Sequence, residues 1–93
     1  MDFFQKNLRD TIEAINKLID NNITIVTTKR IRRCYNIKAS NRSKINFIWR
    51  SLKCLEEEGI LTLNGITNPK TYKILKDEKI NTDELISQIE NTK

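Results

Sequence analysis

The stretch SNRSKINFIWRSLKCLEEEGIL, from Ser40 to Leu61, decides the fold of this chain. Its first half carries bases and no acid, and its second half ends in three glutamates, a glycine and an apolar pair. Steps of ~100° per residue place five of its large apolar side chains within one arc and Phe47 on the opposite arc. The five are Ile45, Ile48, Trp49, Leu52 and Leu55. The pattern predicts an amphipathic helix that is capped by Ser40 and ends at Gly59.

Other elements are predicted on both sides of this long helix. An apolar stripe from Phe4 to Ile19, with spacings of four, four, three and four, predicts an N-terminal helix that ends at Asn21 and Asn22. The predicted order begins with a helix over about 2–20, a strand or extended segment over 23–26, and a second helix that is capped at 27 or 28 and runs through 33 or 35. The long helix, strands over 60–63 and 71–75, and a last helix capped at 81 or 82 follow.

The charges of the chain are unevenly distributed. The 93 residues have a net charge of +5, but residues 23–54 hold nine bases and no acid. The flanking segments, 1–22 and 55–93, have net charges of −1 and −3. Such a long acid-free run in a chain with 12 acids creates a local positive field, which predicts an anionic partner.

The composition argues against several classes of function. The chain has no histidine and two glycines, so it lacks the usual general base and a glycine-rich phosphate loop, and we predict no enzymatic activity. Cys34 and Cys54 are too few for a zinc site, and no metal or cofactor is expected. We expect both to be small core residues, with a bridge between them as the alternative. Without a long apolar run or a signal-peptide pattern, the chain is expected to be cytoplasmic and nucleoid-associated, with no membrane partner.

From about Ile23 to Leu75 the chain resembles the winged helix-turn-helix module of MarR-like and ArsR-like regulators. The segment RSLKCLEEEGILTLNG, residues 50–65, carries the match: a leucine, two residues, a second leucine, a charged triplet, a glycine and an apolar strand. Arg32 stands where that family usually has a small residue, and the wing over 64–69 has no arginine.

The resemblance implies a mostly helical α+β fold with a three-helix core, a two-stranded wing and a C-terminal helix. All 93 residues would form a single domain. Its parts would be an N-terminal helix within 1–22, the helix-turn-helix and wing within 23–76, and the C-terminal helix within 80–91.

The same resemblance implies that the long helix enters the major groove of double-stranded DNA while the second helix crosses the phosphate backbone. Arginine and asparagine pair with guanine and adenine, which predicts base contacts from the long helix. The residues expected to contact bases are Asn41, Arg42, Lys44, Asn46, Phe47 and Arg50. Those expected to contact phosphates are Thr28, Lys29, Arg30, Arg32, Arg33, Lys38, Ser43, Lys53 and Lys70. The alternative for both sets is a basic surface that is only solvated.

The terminal helices carry more apolar side chains than one small core obviously needs, which favours a homodimer like that of the related regulators. The side chains expected to contact the second copy or another protein are Phe3, Phe4, Leu8, Leu85 and Ile89. The alternative is a monomer whose terminal helices pack on its own core. Two functions remain open: a prokaryotic or viral transcriptional regulator, and a non-catalytic accessory subunit of a replication, repair or transcription complex.

Overall fold

A computed structural model describes residues 3–65, 70–76 and 78–91, and this part of the chain forms four helices and a three-stranded antiparallel sheet. The helices are α1 (Phe3–Asp20), α2 (Thr28–Cys34), α3 (Arg42–Glu57) and α4 (Thr82–Asn91). The strands are β1 (Ile25–Val26), β2 (Leu61–Leu63) and β3 (Tyr72–Ile74). The fold is α+β and mostly helical, as predicted. None of the described helices is both long and apolar enough to cross a bilayer.

The sheet has the order β1-β3-β2, so the last strand in the chain lies in the middle. Lys73 of β3 lies opposite Ile25 on one side and Thr62 on the other. We predicted a two-stranded wing, but β1 adds a third strand. The sequence indicated only a strand or an extended segment there, because two residues show no alternation and their pairing partner lies far along the chain. Residues 66–69 of the wing are outside the described residues.

The hydrophobic core forms where α1 packs against α3. Leu8, Ile12 and Ile15 of α1 are at most 1% exposed, and so are Leu52 and Leu55 of α3. Burial of one such side chain contributes about 1.5–3 kcal/mol relative to leaving it in water. The predicted stripe on α1 is therefore confirmed from Leu8 to Ile15, and this part of it packs against the long helix.

The long helix is rotated relative to the prediction. Trp49 was expected in the core, but 57% of its surface is exposed. Ser51 is fully buried instead, and its hydroxyl donates to the carbonyl of Phe47 at 2.8 Å. A serine whose hydroxyl bonds within the helix behaves as a small core residue, which moves the buried arc away from Trp49. The expectation for Trp49 was wrong because the pattern counted large apolar residues only.

The helix ends are set by polar side chains and left-handed residues. Asn41 caps α3, since its side-chain oxygen accepts the N–H of Lys44 at 3.2 Å, and the predicted cap Ser40 lies one residue earlier. Ser40 and Asn41 have similar capping propensities, so only the path of the preceding connection decides between them. At the other ends, Asn22 and Gly59 have φ values of 59° and 79°, which confirms both predicted stops.

Tyr35 joins the end of α2 to α1. Its hydroxyl donates to the carbonyl of Asp10 at 2.8 Å, and the ammonium of Lys17 lies 5.5 Å from its ring centroid. Burial, and then the charges of Asp10, Glu13 and Cys34, raise the pKa of Tyr35 to about 12. The phenol therefore remains a hydrogen-bond donor well into the alkaline range.

This geometry predicts how stability changes at high pH. Because the pKa of Tyr35 is raised from 10.0 to about 12, its contribution to stability is fully present below pH 10 and is lost as the pH rises through about 12. Tyr35→Phe should lower the free energy of unfolding by ~0.5–1.5 kcal/mol at neutral pH, because it removes one hydrogen bond. The difference from wild type should shrink between pH 10 and 12. Urea unfolding over this range measures both, and equal stability at neutral pH would contradict the role of the hydroxyl.

Candidate nucleic-acid interface

Helix α2 is held by one buried side chain and leaves its bases at the surface. Ile31 is 1% exposed and contributes to the core, whereas Lys29, Arg30 and Arg33 are exposed. Of the seven residues of α2, Ile31 is the one that is fully buried, and four of the other six are cationic. Helix α2 therefore presents positive charge to solvent.

Two arginines of α2 are oriented by backbone carbonyls. The guanidinium of Arg30 donates to the carbonyl of Ile25 at 2.6 Å, and that of Arg32 donates to the carbonyl of Ile37 at 3.4 Å. Each guanidinium has five N–H donors, so one such bond orients the group and leaves donors for an anion. Arg32, the departure from the family pattern, is half-buried and bonds to the connection that leads to α3.

The outer face of α3 carries a row of polar and cationic side chains. Arg42, Asn46, Arg50 and Lys53, here called the α3 ridge, are spaced by four, four and three residues and are all exposed. Phe47 is half-buried at the edge of this face, with the guanidinium of Arg50 6.0 Å from its ring centroid. The structure therefore brings four of the predicted contact residues into one row.

Other predicted contact residues have different surroundings. Lys44 faces α1, where its ammonium donates to the side-chain oxygen of Asn7 at 3.2 Å beside a pocket of about 180 Å³. Asn41 is exposed, but its side-chain oxygen is engaged in capping α3. Thr28 is half-buried, while Lys38 and Ser43 are exposed. Lys44 and Asn41 therefore lie in the predicted helix but use their polar groups within the fold.

The loop between β2 and β3, the predicted wing, has one described base beside it. Lys70 is exposed, two residues before β3, and the neighbouring residues 66–69 are outside the described residues.

The apolar residues predicted for a dimer contact are largely used within the chain. Leu8, Leu85 and Ile89 are 1%, 7% and 4% exposed, because α4 packs on α1. The side chains of Phe3 and Phe4 are outside the described residues. Three of the five residues therefore already have covered surfaces in a single chain.

The bases of residues 23–54 are not neutralised within the described part of the chain. Its ion pairs join Arg9 to Asp83 at 2.8 Å and Lys79 to Asp20 at 3.0 Å, and neither includes a base of this segment. Both pairs connect α1 to the C-terminal part of the chain. The positive field predicted from the sequence thus reaches solvent from α2 and α3 without an acidic partner.

Sequence reasoning missed Trp49, which lies at the edge of the α3 ridge. At ~100° per residue it stands about 100° from Ile48, the centre of the buried arc, and about 40° from Lys53. Its exposure could have been foreseen from Ser51, which competes for the opposite edge of the arc. An exposed indole therefore lies beside the cations of the α3 ridge.

Comparison of the chain with protein-family models, with curated proteins and with solved structures finds no match.

The position of Asn41 makes a testable prediction about its role. Asn41→Ala should destabilise the protein by about 1 kcal/mol, because the N–H of Lys44 loses its acceptor at the start of α3. Asn41→Ser keeps a capping oxygen and should restore most of that loss. Thermal unfolding followed by circular dichroism measures the effect. If the serine variant is as unstable as the alanine variant, capping is not what this side chain contributes.

Proposed function

We propose that this chain is a winged-helix DNA-binding protein in which α3 enters the major groove and α2 lies on the phosphate backbone. The observation that carries the proposal is the exposed cationic surface of α2 and α3, which has no acidic partner among the described residues. DNA carries one negative charge per ~1.7 Å of helix axis, so such a surface gains free energy by releasing counterions from phosphates.

The arrangement of elements supports this proposal. A helix, a short strand, two helices and two strands follow one another, and the sheet order β1-β3-β2 is compatible with a winged-helix layout. In a module of this kind the second and third helices face the duplex together. Those are the two helices whose bases form no ion pair with the described acids of this chain.

The two helices would contribute different kinds of contact. On the α3 ridge, Arg50 has the fork that matches the O6 and N7 atoms of guanine, and Asn46 has the amide that matches adenine. On α2 and the connection after it, Lys29, Arg33 and Lys38 would hold phosphates and fix the register of α3 without reading sequence. Lys44, which bonds to Asn7, would contribute through the local positive field.

Within this function, two roles differ in how the protein assembles. A transcriptional regulator would bind as a homodimer to two half-sites about one helical turn apart. A non-catalytic accessory subunit of a nucleic-acid complex would be a monomer that is indifferent to sequence. The burial of Leu8, Leu85 and Ile89 within one chain favours the second role, because it removes three surfaces that a dimer would have used.

A salt titration tests whether the chain binds duplex DNA through contacts with phosphates. Binding of random duplex DNA, followed by fluorescence anisotropy, should weaken steeply as salt is raised. Arg33→Ala should weaken all duplexes alike and reduce the slope of log K against log salt by about one unit. Lys76→Ala is the matched control, since it removes an exposed charge outside the α2–α3 surface and should leave the slope nearly unchanged. Absence of binding at low salt would overturn the proposal.

A sequence selection followed by mutation of the ridge tests whether α3 reads bases. If it does, Arg50→Ala should cost ~1–3 kcal/mol on the preferred site and relax the choice of base there. Arg33→Ala is the comparison, because it should weaken binding without changing preference. Should selection return no preferred site, or should Arg50→Ala leave affinity and preference unchanged, α3 does not read sequence and the accessory role is favoured.

A further inference from the structure

Trp49 is an exposed aromatic side chain that the proposed duplex contacts do not use. It is 57% exposed, more than Leu75 at 50% or Leu63 at 43%, the other exposed large apolar residues of the described chain. Covering an exposed indole with another surface lowers the free energy, and a planar surface fits the indole best. Trp49 is also the single tryptophan of the sequence.

The flank of α3 that carries Trp49 leads toward the sheet, since β2 follows the end of α3 and packs against this helix. Glu56 lies seven residues, or two turns, after Trp49 and therefore on the same flank. Burial, and then the charge of Glu56, raise the pKa of Tyr72, which places that carboxylate near β3. Trp49 lies about 10 Å closer to the start of α3, at the edge between the sheet side of the helix and the α3 ridge.

The immediate surroundings of Trp49 on α3 are cationic and polar. Lys53 follows it by one turn, Arg50 is the next residue, and Asn46 precedes it by one turn, all of them exposed. The cores of protein–protein interfaces are depleted in lysine, whereas single-stranded nucleic acid is bound by aromatic side chains beside cations that hold its phosphates. Charge complementarity therefore favours a nucleic acid over a protein as the molecule that covers Trp49.

A fully paired duplex does not offer the surface that an indole covers best. Its base faces are stacked on one another, and a side chain in the groove meets only base edges. An unpaired base has a free face, and stacking on an aromatic side chain does not depend on which base it is. Trp49 lies at the edge of the α3 ridge, so an unpaired base that adjoins a duplex held by the ridge and by α2 is the kind of surface that would cover it.

We propose that Trp49 stacks on an unpaired base, so that the protein prefers DNA in which a single strand adjoins a duplex over fully paired DNA. This inference rests on the proposed function, because α2 and the α3 ridge must hold the adjoining duplex. It adds a substrate class, namely tailed or locally opened duplexes.

The test compares a blunt duplex with the same duplex carrying a single-stranded tail of several nucleotides on either strand. Anisotropy of labelled DNA gives the affinities, and the intrinsic fluorescence of Trp49 reports the indole itself. The tailed DNA should bind about 5- to 100-fold more tightly, which corresponds to one stacked base, and should quench the tryptophan. Trp49→Ala should remove the preference and leave binding of the blunt duplex nearly unchanged, whereas Trp49→Phe, which keeps a stacking ring, should retain much of it.

The outcomes separate the two proposals. Equal affinity for blunt and tailed DNA, or a preference that survives in Trp49→Ala, overturns the stacking inference while the duplex-binding proposal stands. Binding to neither DNA overturns both. Sedimentation of the free protein tests whether a second copy of the chain covers the indole instead. A dimer that Trp49→Ala converts to a folded monomer would show this and would also overturn the inference. Circular dichroism confirms that the variants fold, as expected for a change at an exposed residue.

Discussion

The packing of α1 against α3 is the contact on which the rest of this structure depends. The stripe that includes Leu8, Ile12 and Ile15 meets the buried arc of α3, and these two helices share the most extensive contact among the described elements. Once Leu52 and Leu55 face α1, the rotation of α3 about its axis is determined. That rotation decides which side chains of the long helix reach solvent.

The electrostatic character of the surface follows from this rotation. Moving an unpaired charge out of water costs several kcal/mol, so the bases of α3 occupy the face opposite the core. Lys44 is the instructive exception, because it lies near the buried arc and meets Asn7 of α1 rather than solvent. Helix α2 likewise exposes most of its cations, because Ile31 is the side chain that packs it against the core. The cationic surface of residues 23–54 thus arises from ordinary burial rules acting on an acid-free segment.

The terminal helices have a structural role within the single chain. Helix α4 covers α1 with Leu85, Ile86 and Ile89, and its acidic residue Asp83 pairs with Arg9. The ion pairs of the described residues therefore join α1 to the C-terminal part of the chain, and they do not involve the bases of α2 and α3. This separation of charge leaves the surface of α2 and α3 positive. The packing of α4 on α1 also covers apolar side chains that would otherwise favour contact with a second copy.

The sequence by itself determined the number and order of the helices, the stops at Asn22 and Gly59, and the acid-free block, because each depends on local spacing or on composition. The tertiary structure alone decided the pairing of β1 with β3, since a two-residue strand has no pattern of its own and its partner is about 48 residues away along the chain. It also decided the cap at Asn41, the contact of Lys44 with α1 and the exposure of Trp49. The cap depends on the path of the connection before α3. The other two features depend on how far α3 is rotated against α1, and the spacing of the apolar residues does not predict the rotation that buries Ser51.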